Sequence, residues 1–149
     1  MSEHVRTVFR TAIVAATPLP YFETIAQSLD LNTVPSLWCT LEFPLVTSTR
    51  TTIGYPACFR EGGTVLLRVL ARSGRGDTEA IHAAELLREF FDQPYIDDVR
   101  MLATSPPALA PVDNGEWIDV IVAVDYEWDY TVPASLAKTR RMQSEGVMP

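Results

Sequence analysis

The sequence predicts an α+β fold: a mainly antiparallel sheet with two main helices packed on one face. Two stretches place apolar residues at every third or fourth position, and three long stretches alternate apolar with polar residues. The chain of 149 residues is 47% hydrophobic and 21% charged, an ordinary globular balance that excludes a disordered or collagen-like polymer. At this length roughly 70% of the unfolded surface becomes buried, enough for one core without disulfides or metals. A single domain is expected over residues 1–130, followed by a polar tail over 131–149.

Val5, Val8, Phe9, Ala12, Ile13 and Ala16 share one face of a first helix. Ser2 is placed to cap it, Glu3 favours the positive end of its dipole, and Pro18 and Pro20 end it. Residues 21–34 read as a helical turn or a short strand, with the balance slightly toward strand. From Leu37 to Val46 the period becomes two, which groups Leu37, Cys39, Leu41, Phe43 and Leu45 on one side. A Thr-rich connection, 47–53, and Gly54-Tyr55-Pro56 follow. A second strand is expected from Ala57 to Arg72, with Val65, Leu67, Val69 and Ala71 inward and Leu66, Arg68, Leu70 and Arg72 outward. Gly62-Gly63 suggests a turn or bulge within it.

Asp77 is placed to cap a second helix over 78–92, whose buried stripe is Ala80, Ala83, Ala84, Leu87 and Phe91. A short strand is expected at 98–104, then a Pro/Ala loop ending in the turn signal Asn114-Gly115. The last strand sets Ile118, Val120, Val122, Val124, Tyr126 and Trp128 against Trp117, Asp119, Ile121, Ala123, Asp125, Glu127 and Asp129. The tail is basic, with Lys138, Arg140 and Arg141, whereas the first 130 residues hold 9 basic and 18 acidic groups. Such a tail is a loose end or a segment that orders on a partner.

Charge and composition narrow the function classes. The formal charge of −7 disfavours tight duplex binding, because a net acidic surface repels phosphate. Cys39 and Cys58 are too few for a secreted disulfide scaffold and suit a reducing compartment. The opening Met1-Ser-Glu-His lacks a signal-peptide pattern, and no charge-free apolar run reaches about 18 residues, so cytoplasm is the expected location and no membrane contact is expected.

Catalytic motifs are scarce. His82, Glu85 and Glu89 have the helical spacing of metal ligands, but no second cluster supplies the rest of a coordination sphere, and the same face reads as the solvated side of a helix. Cys39 reads as a small core hydrophobe. Cys58 lies near Arg60, yet neither histidine is adjacent in sequence to act as its base. Gly74-Arg-Gly-Asp lacks the lysine and hydroxyl of a phosphate loop. No cofactor, metal or catalytic residue is assigned, and the chain is not expected to be an enzyme. Asp119, Asp125, Glu127 and Asp129 line one face of the last strand, either as a solvated face or as an acidic wall toward a polyanion's channel. Arg68 and Arg72 are their partners if that face meets a neighbouring subunit.

The order of elements carries a resemblance. It includes the strand Leu37-Trp-Cys-Thr-Leu-Glu-Phe, the strand Thr64-Val-Leu-Leu-Arg-Val-Leu, the turn Gly74-Arg-Gly-Asp-Thr, an Ala-rich helix, and Trp117-Ile-Asp-Val-Ile-Val-Ala-Val-Asp-Tyr. Over residues 3–130 this resembles the tail terminator (tail completion) proteins of long-tailed bacteriophages and gene transfer agents. The resemblance implies a structural virion protein that closes into a hexameric ring on the tail tube. The ring stops polymerisation of the major tail tube protein and offers its other face to a head-completion or neck protein. DNA passes through it without sequence-specific binding, at a tail-neck junction assembled in the host cytoplasm. Subunit or tube contacts are then expected at Arg50, Arg60, Arg68 and Arg72, channel-facing acids at Asp119, Asp125, Glu127 and Asp129, and partner contacts at Lys138, Arg140 and Arg141. The alternatives are a neck or head–tail connector, a small-molecule enzyme or binding protein of α+β form with Trp38, Trp117 or Trp128 at the mouth of a pocket between helix and sheet, and a toxin or regulatory module whose tail grips an acidic partner.

Overall fold

The computed structural model describes residues 1–22, 35–73, 77–110 and 117–132. Helix α1 spans Glu3–Ala16, and the Ser2 hydroxyl accepts from the Val5 amide at 3.1 Å, the expected cap. Thr17 is already extended, and Pro18 and Pro20 follow, so the chain cannot continue the helix. Instead it runs beside the first strand: Cys39 N–H donates to the Pro20 carbonyl at 2.9 Å and Phe22 N–H to the Cys39 carbonyl at 3.1 Å. Tyr21 thus forms a parallel bridge with Cys39. The rest of the strand expected in 21–34 lies outside the described residues.

Strands β1 (Leu37–Arg50) and β2 (Ala57–Arg72) form a long antiparallel hairpin. The expected boundaries of β2 hold. Strand β1 is longer than the 37–46 expected, because Thr47 to Arg50 continue the ladder opposite Phe59 to Gly62. Threonine suits a pleated strand as well as it suits a loop. Glu42 pairs with Leu66 but Leu45 pairs with Thr64, which leaves one extra residue in β1. Pro44, which has no N–H to give, sits at this bulge. The bulge reverses the alternation. Leu45, expected in the core with Phe43, is therefore exposed on the opposite face. A turn or bulge at Gly62-Gly63 is corrected likewise: β2 passes through unbroken, and the irregularity lies in β1, opposite Val65. A Cβ on Gly63 would fall 2.1 Å from the Leu45 carbonyl oxygen, so the bulge itself demands glycine there.

Helix α2 covers Thr78–Phe91 and buries the expected stripe. Asp77 stands at its N-cap position with helical angles and no side-chain capping bond, contrary to its expected role. Strands β3 (Tyr95–Ile96) and β4 (Val99–Thr104) are joined through Asp97, whose φ of +51° an aspartate tolerates. Strand β5 (Ala108–Ala110) falls inside what the sequence suggested was a loop. Strand β6 runs from Trp117 to Val132, so Thr131 and Val132 belong to the sheet rather than the tail. Asn114-Gly115, Gly74-Arg75-Gly76 and the tail from 133 onward lie outside the described residues.

The sheet order is β1-β2-β6-β4-β3, and β5 also pairs with β6, all antiparallel. Both helices pack on one face, so the fold is α+β, mainly sheet. Val65, Leu67 and Val69 of β2 and Val120, Val122 and Val124 of β6 meet Val5, Phe9 and Ile13 of α1 and Ala84, Leu87 and Phe91 of α2. Phe9 is central: its ring lies 5.7 Å from Phe91, 5.9 Å from Phe43 and 5.3 Å from Tyr126. The buried acid on this side is Glu61, which accepts from Tyr126 Oη at 3.0 Å and from Ser2 N at 2.7 Å. Burial and the nearby Glu61 charge both push the Tyr126 phenol well above its ordinary value.

Candidate interaction surfaces

The sheet face away from the helices carries most of the residues singled out from sequence. Register decides what they do. Arg68 lies diagonally between Asp119 on β6 and Glu42 on β1. Its guanidinium donates to Asp119 through Nε at 3.1 Å and through Nη2, and to Glu42 Oε2 through Nη1 at 2.9 Å. The hydrogen bond to Asp119 raises its pKa above the usual arginine value, keeping it charged in a half-buried place. Asp119 is only 3% exposed. Within the chain it is paired with Arg68 and covered.

The other acids of β6 are met in the same way. Asp125 accepts from Thr64 Oγ1 at 2.7 Å. Asp129 takes a two-pronged contact from Arg60, at 2.8 and 3.1 Å, and Glu127 lies 3.9 Å from Arg60 and 3.8 Å from Arg100. The bond from Arg60 holds the Asp129 carboxyl below the ordinary carboxylate range. Arg72 stacks over Trp117, 4.7 Å from the ring centroid. The repulsion among alternating acids is thus relieved inside the chain by arginines on neighbouring strands. Glu42 and Thr64 were not foreseen in these roles, because the diagonal register that recruits them is not visible in one strand's periodicity.

At the end of this face, Trp38 and Trp117 are buried edge to face, 6.2 Å apart, with Phe22 at 5.8 Å from Trp38. They lie on the opposite side of the sheet from the helices, which corrects their expected position at a helix–sheet pocket. Trp128 is on the helix side, stacked on His4 at 4.8 Å and Tyr130 at 4.9 Å, and its Nε1 donates to Asp98 at 3.0 Å. His4 meets the other oxygen of Asp98 at 2.6 Å and so ties the start of α1 to the β3–β4 turn. This contact, ahead of the Trp128 bond, lowers the Asp98 pKa. Cys39 is buried and its thiol is pushed up to about 12 by desolvation, in keeping with a core hydrophobe. Cys58 is half-buried, its sulfur 3.8 Å from Thr131 Oγ1.

Two further surfaces stand out. The first is the hairpin tip between β1 and β2. Arg50 folds over it, with Nε donating to the Thr52 carbonyl at 2.8 Å, Nη2 to the Gly54 carbonyl at 2.6 Å, and its charge 5.0 Å from the Tyr55 ring. Gly54 takes a φ of +89°, and Ile53 is left completely exposed, with Tyr55 56% exposed beside it. The sequence signal was present, an isoleucine and a tyrosine inside a run of threonines, but it reads as a polar connection. The second is α2 and the turn after it. Asp77, Glu79, Glu85, Glu89, Asp92, Asp97 and Asp98 are all exposed there, against Arg88 alone. Much of the chain's acidity therefore lies on α2 and its turn, beyond the β6 row that drew attention in the sequence.

His82, Glu85 and Glu89 are exposed on α2, and no group of three or more His, Cys, Asp or Glu residues capable of holding a metal occurs among the described residues. None of the helices among them is long and apolar enough to cross a membrane. Lys138, Arg140 and Arg141 lie outside the described residues. Comparison with models of known protein families, and with curated proteins, found no match.

Proposed function

We propose that this protein is a structural assembly part, a tail-terminator-like subunit that closes into a hexameric ring, caps a phage-type tail tube and presents its other face to a neck protein. The observation that carries this reading is the hairpin tip. An isoleucine and a tyrosine are held out in solvent by an ordered loop whose carbonyls are already bonded to Arg50. Grouped apolar exposure at the end of a projecting hairpin fits contact with another chain. The charged side chains of the helix-free face support the same reading, since they are engaged with partners inside the chain. DNA sliding through such a ring would meet a negative potential from the chain's overall charge of −7, to which α2 and its turn add more than the neutralised β6 row.

The test is direct. Adding the purified protein to growing tail tubes is expected to shorten and narrow the tube-length distribution, and electron microscopy is expected to show a ring at the tube end. An unchanged length distribution, with no particle seated on the tubes, would count against the reading. A ring found only on the head-side connector would transfer the assignment to a neck protein.

A further inference from the structure

Pro106 and Pro107, in the connection between β4 and β5, face Ile81, Glu85, Glu89 and Asp92 of α2 and its C-terminal turn across an open cleft of about 560 Å³. Ile81 and the two prolines supply its apolar lining, and three carboxylates, Glu85, Glu89 and Asp92, stand against Arg88 alone. The β1–β2 tip has the opposite character. Residues 47–57 contain Arg50 and no acid, and they end in exposed Ile53 and Tyr55. Cleft and tip lie on opposite flanks of β6: β1 and β2 are on one side of it in the sheet, β4 and β5 on the other.

We propose that the hairpin tip of one copy of this chain seats in the cleft that α2 forms with Pro106 and Pro107 in the next copy. Ile53 and Tyr55 pack against Ile81, Pro106 and Pro107, and Arg50 approaches Glu85 and Glu89. A second copy fits better than an unrelated peptide, because both halves of the complementary pair are built into the same chain. The loop is preorganised by its own hydrogen bonds, so little conformational freedom is lost on docking. Since each copy carries one knob and one hole on different patches, the contact is heterologous and propagates from subunit to subunit, closing into a ring if the rotation allows. The proposal rests on the assembly reading above and names the contact that would build the ring.

Sedimentation velocity on the full chain, up to about millimolar concentration, tests it. Wild type is expected to self-associate. Ile53→Asp combined with Tyr55→Asp is expected to raise the dissociation constant at least 10- to 100-fold, the loss typical of removing interface anchors. Its melting temperature should stay unchanged, because both positions are exposed. Arg50→Glu is expected to weaken association, and adding Glu85→Arg with Glu89→Arg to restore part of it. That recovery separates docking from simple damage to the loop. If wild type assembles and the double aspartate variant assembles equally well, this contact is overturned while the ring reading stands. Failure of the charge swap to recover association also counts against the contact. A wild type that stays monomeric at every concentration and on tubes overturns both.

Discussion

The two faces of the sheet meet the cost of folding in different ways. On the helix side, Val65, Leu67, Val122 and Val124 are removed from water under α1 and α2, and stability comes from apolar burial at about 25 cal/mol per Å². On the other side, the same strands carry Arg60, Arg68, Asp119, Asp125 and Asp129, arranged so that each charge finds a partner across a strand. One face specifies the fold by shape and the other by register. A shift of one residue between β2 and β6 would expose the valines and also separate every pair on the charged side.

The difference can be broken most severely from the apolar side. Phe9→Ala is expected to cost about 3–5 kcal/mol by urea denaturation, because it leaves a cavity among Phe43, Phe91 and Tyr126. Gly63→Ala should cost about 1–3 kcal/mol, since the neighbour its Cβ meets is backbone that cannot swing aside. On the charged face, Asp119→Ala leaves Arg68 half-buried without its main partner, and a loss of about 1–3 kcal/mol is expected after allowing for partial exposure of the arginine. Coupling it with Arg68→Met should recover much of that loss, because an apolar pair of similar shape needs no ionic match. If the double variant is no better than Asp119→Ala, the pair matters for more than its own neutralisation.

Acid should reveal the smallest effect. The Asp98 carboxyl is depressed by its bond to His4, so its contribution is present above the ordinary carboxylate pKa and is lost as pH falls from there through the depressed value. Asp129, depressed by Arg60, follows the same sign. An Asp98→Asn variant is expected to show a flatter fall of melting temperature across that acidic window, with little change at neutral pH.

Local signals in the sequence were strong where one element could be read alone. The Ser2 cap follows from its hydroxyl at a helix start, and the stripes of α1 and α2 and the alternation of β2 and β6 follow from periods of 3.6 and 2. What escaped depended on a second strand. Leu45 left the core because of a bulge in β1 opposite Val65, and β3 and β5 are too short to show a period. Glu61 carried a readable clue, since it falls in step with Val65 and Leu67 on the inward side, but its partners at Ser2 and Tyr126 are distant in sequence. Arg68 and Arg72 of β2 were correctly set outward, whereas their partners within the same chain, and the bare tip at Ile53, required the three-dimensional register.

The contrast between the two thiols has a practical side. Cys39 sits under the sheet with its proton firmly held, so it stays silent toward alkylating dyes while the protein is native. Cys58, part-way open at the root of the projecting loop, offers a natural attachment point for a fluorophore. A label there would sit a few residues from the tip and could follow its encounters in solution without any engineered cysteine.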